Sequence, residues 1–117
     1  STMHSTDIRV FIPSKDFAQS QQFYQALGFS KESVNDELCL FTCGECTFFL
    51  QNTYQQDFAE NLMMQLIVTD INAAYQQIVN MGDLARKYQA IKNEPWGKVV
   101  YLWGPAGELW HIAQFLA

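Results

Sequence analysis

An internal duplication limits the folds open to this chain. The run Ile8-Arg9-Val10-Phe11-Ile12-Pro13 leads through Asp16 into an amphipathic stretch that stops at Leu27-Gly28. The run Leu62-Met63-Met64-Gln65-Leu66-Ile67-Val68 leads through Asp70 into a second such stretch, stopping at Met81-Gly82. Asp16 and Asp70 lie 54 residues apart, and so do Gly28 and Gly82. A strand, an Asp helix cap, a short helix and a glycine stop, recurring at one offset, indicate two copies of one structural unit. A duplicated unit of this kind usually places its ligand between the copies.

The local signals extend the repeat along the chain. Residues 7–13 alternate as a strand, and Asp16 caps the next helix with Gln19 as its capping-box partner. Phe17, Ser20, Phe23 or Tyr24, and Leu27 recur at helical spacing before Gly28. Residues 29–34, 38–42 and 46–51 read as strands, the last two around the turn Cys43-Gly44-Glu45-Cys46. The polar stretch 52–61 is expected to be a linker. Residues 62–68 then form a strand, and Asp70 caps a helix with Ile71, Ala74, Tyr75 and Ile78 on one face. Strands are expected over about 85–91, 98–103 and 108–115. Each half is thus βαβββ, which places the chain in the α+β class. It makes one domain, 1–117, with modules at about 7–51 and 62–115 and the linker at about 52–61.

Strand parity assigns faces. Ile8, Val10 and Ile12 share one side of the first strand, opposite Arg9, Phe11 and Pro13. Leu62, Met64, Leu66 and Val68 oppose Met63, Gln65 and Ile67, while Trp110, Ile112 and Gln114 oppose Leu109, His111, Ala113 and Phe115. One side of each strand suits packing under the helices. The other carries Arg9, Gln65 and His111 among apolar neighbours, the make-up of a small-molecule wall.

Composition narrows the partners. At 117 residues and 49% hydrophobic, the chain can bury a core, roughly two-thirds of its unfolded surface. Seven basic against twelve acidic residues give a net charge of −5, which argues against nucleic acid because phosphate binding needs clustered Lys and Arg. No apolar run approaches the roughly 20 residues that span a bilayer, and the start lacks a basic region followed by an apolar core. The three cysteines form no even disulfide set, so reduced thiols and a cytoplasmic location are expected. Cys43-x-x-Cys46 lacks the second pair of a zinc ribbon and the helix start of a redox motif, so it reads as a hairpin turn.

At this point the motifs resemble a known superfamily. Asp16 to Phe29, with Phe23-Tyr24-Gln25-Ala26-Leu27-Gly28-Phe29, is similar to the opening of glyoxalase/bleomycin-resistance/dioxygenase (vicinal oxygen chelate) proteins. Pro95-Trp96-Gly97-Lys98 and Gly104-Pro105-Ala106-Gly107-Glu108-Leu109-Trp110-His111 resemble the closing segment. The resemblance implies two tandem βαβββ modules whose curved mixed sheets form a cup, often completed by a second chain. Enzymes of the superfamily place metal ligands at strand positions that fall here on Arg9, Met63 and His111. Arg offers no lone pair, and Met is a soft donor ill suited to hard divalent ions. Only His111 could ligate, so no metal or other cofactor is expected.

The expected ligand-binding residues are Arg9, Phe11, Met63, Gln65, Trp96 and His111. Arg9 has two readings, a snorkelling surface cation or a pocket cation standing where the metal would be; its parity with Gln65 and His111 favours the second. His111 is either a hydrogen-bonded structural residue or a ligand contact. Trp96, in the loop that edges the cup, is the best placed of the three Trp residues to stack on a ligand. The leading expectation is a metal-free homodimer that sequesters an aromatic, drug-like small molecule, like the bleomycin-resistance branch. Behind it stand a metal-dependent lyase, isomerase or dioxygenase with an atypical site, and an interaction module whose cup is filled by side chains.

Overall fold

The computed structural model describes residues 2–117. The first half runs β1 (Phe11–Pro13), α1 (Phe17–Leu27), β2 (Ser30–Asn35), β3 (Leu38–Cys43) and β4 (Cys46–Gln51). A short helix α2 (Gln56–Asn61) leads to the second half. There follow β5 (Met63–Ile67), α3 (Ile71–Asn80), a 3-10 turn (Gly82–Leu84), β6 (Lys87–Tyr88), β7 (Lys92–Glu94), β8 (Gly97–Trp103) and β9 (Leu109–Phe115). The sheets share one order, β1-β4-β3-β2 and β5-β9-β8-β6, with β7 also on β8. In each sheet the opening strand lies parallel to the closing one and the remaining pairs are antiparallel. The two βαβββ units indicated by the duplication are present.

The repeated end signals work as their chemistry requires. The Asp16 carboxylate accepts from the Gln19 N–H at 3.0 Å, and Asp70 accepts from the N–H groups of Asn72 and Ala73. Gly28, at φ 118, turns the chain out of α1 in the left-handed region that a side chain disfavours. Gln114 adds a second support for α3, accepting from the Ile71 N–H at 2.8 Å.

Three boundaries differ from the sequence expectation. The first strand shrinks from 7–13 to Phe11–Pro13, because the Asp7 carboxylate takes the Ile8 N–H at 2.7 Å in a local turn that competes with ladder pairing. The expected linker 52–61 contains α2, with Asp57 in its first turn and Ala59 buried. Its polar face, including the Gln56–Glu60 contact one turn apart, hid it from the hydrophobic pattern. The strand expected over 85–91 is split, since pairing shifts by one residue between Tyr88–Leu102 and Lys92–Val99, the signature of a bulge.

One side of each sheet packs under the helices. Ile12, Cys39, Phe41, Phe48 and Leu50 from the first sheet meet Val100, Leu102, Trp110 and Ile112 from the second, with Phe23 and Tyr24 of α1 and Ile71 and Ile78 of α3 in the same cluster. Tyr24 ties the halves together. Its ring lies edge-on to Phe48 at 4.8 Å, its hydroxyl donates to Glu108 Oε2 at 2.6 Å, and it accepts from Trp110 Nε1 at 3.0 Å. The other carboxylate oxygen of Glu108 accepts from the Ala106 N–H at 2.9 Å. Burial pushes the Glu108 carboxyl up, against the hydrogen bonds from Tyr24 and from the turn, which favour its charge. Burial, and then the neighbouring Glu108 charge, push the Tyr24 phenol up as well.

Candidate functional site

The sheet faces turned away from the helices carry the residues singled out from the sequence. On the first sheet, Phe11 stacks on Phe49 of β4 with ring centres 4.8 Å apart. The Arg9 guanidinium lies 5.4 Å from the centre of the same ring. Its Nε donates to Asp7 at 3.3 Å and to Thr47 Oγ1 at 3.2 Å, so the charge is paired on an exposed face. The Ile8 N–H, and more weakly Thr47 and Arg9, hold the Asp7 carboxyl below its usual range. Arg9 is an exposed cation that shares the outward face with Phe11, is neutralised by an acid of its own segment and lines none of the cavities described below.

On the second sheet, strand register builds a row. Gln65 of β5 faces His111 of β9, which faces Tyr101 of β8. The His111 ring meets Tyr101 edge-on at 4.8 Å. Its Nε2 is shielded from solvent and has no hydrogen-bond partner among the described residues. Buried polar atoms are almost always paired, so an orphan nitrogen calls for an explanation. Two residues before Gln65, Met63 lies on the same face, paired with Leu109, which in turn pairs with Trp103. At the other end Trp96 packs edge-on against Phe115 at 5.6 Å, and its carbonyl accepts from the Leu116 N–H. Gly97 sets this loop. A Cβ there would collide with the Gln114 carbonyl, so only glycine lets β8 start so close to β9.

The structure therefore brings Gln65, His111 and Met63 together and places Trp96 at the end of their face, while Arg9 and Phe11 lie on the other sheet. Three cavities of about 420, 320 and 160 Å³ indent the surface, and of the six residues only Gln65 lines any of them, the smallest. Both faces are open walls instead, with Phe11, Met63, Ile67, Trp96 and Phe115 all exposed. Tyr101, Thr47 and Phe49 were not among the expected residues. Tyr101 was within reach of the hairpin count between β8 and β9, but its face needs the register across the turn. Thr47 and Phe49 become neighbours of Arg9 and Phe11 only through the parallel pairing of β1 with β4.

The donor set does not fit a metal centre of the kind the fold can carry. The three strand positions hold a guanidinium paired to Asp7, a thioether and one imidazole, and no three His, Cys, Asp or Glu side chains cluster among the described residues. Nor does a carboxylate hydrogen-bond to His111 among these residues, so the imidazole lacks the partner that orients a general base. The row sets an imidazole nitrogen, unpartnered among the described residues, an amide and a phenol in an aromatic and thioether surface.

No known family model and no curated protein matches the chain. Solved structures do. A bleomycin resistance determinant encoded on the transposon Tn5 superposes with a TM-score of 0.82 at 20% identity, covering 97% of this chain and 100% of that one. TnmS3, an antibiotic binding protein from Streptomyces sp. CB03234, gives 0.81 at 18% identity, over 98% and 100% of the two chains. A bleomycin-binding protein complexed with bleomycin gives 0.78 at 20% identity, over 97% and 100%. The fold is that of the glyoxalase/bleomycin-resistance/dioxygenase proteins, as the sequence motifs implied. At such identities the likeness concerns the fold, and function rests on the site.

Proposed function

We propose that the chain is a metal-free binding protein that sequesters an aromatic small molecule on its open sheet faces, in a cup completed by a second copy of the chain. The observation that carries the reading is His111: a shielded nitrogen without a partner, in a row with Gln65 and Tyr101, on a wall of exposed apolar side chains. A ligand that hydrogen-bonds to that nitrogen and stacks on the ring surface satisfies both features at once. The antibiotic-binding proteins that share the fold support the ligand class. Exposure of Phe11 on one sheet and of Met63, Ile67 and Phe115 on the other supports closure by a partner subunit, which would cover large apolar side chains left on open sheet faces.

Native mass spectrometry of the untreated protein, followed by titration with metal-free bleomycin and monitoring of tryptophan fluorescence, tests the proposal. A dimer without bound metal that takes up about one ligand per chain, and loses about tenfold in affinity in His111→Phe, is the expected result. Stoichiometric divalent metal would replace it with the lyase or dioxygenase reading. A monomer that retains no small molecule and leaves bleomycin unbound would overturn both the drug class and the shared cup.

A further inference from the structure

Cys43 and Cys46 have no role in the binding proposal above, although Cys46 shares the smallest cavity with Gln65. They close β3 and open β4, and the register sets them directly opposite each other across Gly44-Glu45. Gly44 has φ 60, while no non-glycine residue described has positive φ, which is the pattern of a type II′ hairpin turn. Facing residues of an antiparallel pair have Cα atoms about 4.5–5.5 Å apart, inside the roughly 4.4–6.8 Å that a disulfide spans. Their side chains share a face. Cys39 and Phe41 precede Cys43 at steps of two, Phe48 and Leu50 follow Cys46 likewise, and all four are buried on the helix side. Cys43 and Cys46 are nonetheless exposed, because they lie at the tip beyond that cover. Cys43 lines the cavity of about 320 Å³ with Leu66 and Val68, and Cys46 lines the one of about 160 Å³ with Met64 and Gln65. The pair thus stands where the hairpin of the first half meets β5 of the second.

We propose that Cys43 and Cys46 are a redox-responsive dithiol, oxidised by a hydroperoxide to a disulfide across the hairpin tip. One thiolate attacks the terminal peroxide oxygen, the O–O bond breaks and a sulfenic acid forms. The alkoxide takes a proton and leaves as the alcohol, or as water when the oxidant is hydrogen peroxide. The second thiol attacks that sulfur, the sulfenic hydroxyl takes the thiol's proton and leaves as water, and the S–S bond closes. Two thiols and one hydroperoxide give one disulfide, one water and one alcohol, or two waters when the oxidant is hydrogen peroxide. The pair sits at a β-turn and not at the helix start that disulfide oxidoreductases use, so it acts as a responder, not a catalyst. Its ring is small, so closure gains little chain entropy and cellular thiols reopen it readily. Cys39 is outside the reaction: it is buried, burial raises its pKa, and its facing residues are Ser33 and Leu50.

Treatment of the whole protein with hydrogen peroxide, alkylation after unfolding and mass spectrometry test the proposal. The expected product has lost two hydrogens, carries one alkyl group, on Cys39, and stays joined after cleavage behind Glu45 until it is reduced. Cys43→Ser and Cys46→Ser abolish the two-hydrogen loss. A disulfide that includes Cys39, a disulfide-linked dimer, or sulfinic acid without any crosslink in the unmutated protein would each overturn the proposal. The mapping of the wild-type product stands even if a serine variant fails to fold.

Discussion

Replacing Tyr24 by Phe removes one oxygen from the centre of the core and leaves the ring among Phe23, Phe41, Phe48 and Trp110. Two hydrogen bonds disappear, one to the Glu108 carboxylate at 2.6 Å and one from the Trp110 indole at 3.0 Å. A bond to a charged acceptor contributes about 1.5–3 kcal/mol and a neutral one about 1, so the loss comes to about 3 kcal/mol. A chain of this length is stable by roughly 6–18 kcal/mol, so the change is a sizeable share without unfolding the protein. Urea unfolding followed by tryptophan fluorescence measures it as a lower midpoint at unchanged slope. The pH dependence supplies a second check. The Tyr24 hydroxyl favours the charged Glu108, so without it the carboxyl rises further and the deficit grows as pH rises through the raised value of the native carboxyl. A deficit below about 1 kcal/mol, or one that does not vary with pH, would show that this hydroxyl does not join the halves electrostatically.

Three further outcomes follow from the same structure. Asp70→Ala lowers stability by about 1 kcal/mol in thermal or urea unfolding, because the first-turn N–H groups of Asn72 and Ala73 lose their acceptor. Gly97→Ala costs roughly 3 kcal/mol or more, since its Cβ meets the backbone at Gln114 and Phe115 with no flexible side chain to yield; a drop in melting temperature under 5 °C refutes that reading. In the native protein the Glu108 carboxyl binds its proton more tightly folded than unfolded, so its contribution is full below the usual 4.5 and declines as pH rises through the raised value. Glu108→Gln removes this decline, which urea midpoints between pH 4 and 8 detect as a flatter profile.

Much of this architecture could be read from local chemistry. Asp16, Gly28, Asp70 and Gly82 mark helix ends because capping oxygens and left-handed glycines act within a few residues of themselves. The alternation in β5 and β9 assigned His111 and Gln65 to one face for the same reason, since side-chain direction along a strand has a period of two. Polar α2 escaped because its stabilising contacts are not periodic hydrophobic ones, and the bulge after Tyr88 escaped because it exists only relative to β8.

The sequence by itself determined the duplicated units, the helix caps and the inward and outward faces of the strands. Tertiary structure alone decided who stands beside whom. Register brought Tyr101 against His111, parallel pairing brought Phe49 under Arg9 and Phe11, and the hairpin set Cys43 opposite Cys46. Tyr24 and Glu108 met across 84 residues of chain to share a proton donor and an acceptor in the core. The direction of a side chain is a property of its own backbone, whereas its neighbours depend on strand pairing and packing between distant segments, which no local pattern encodes.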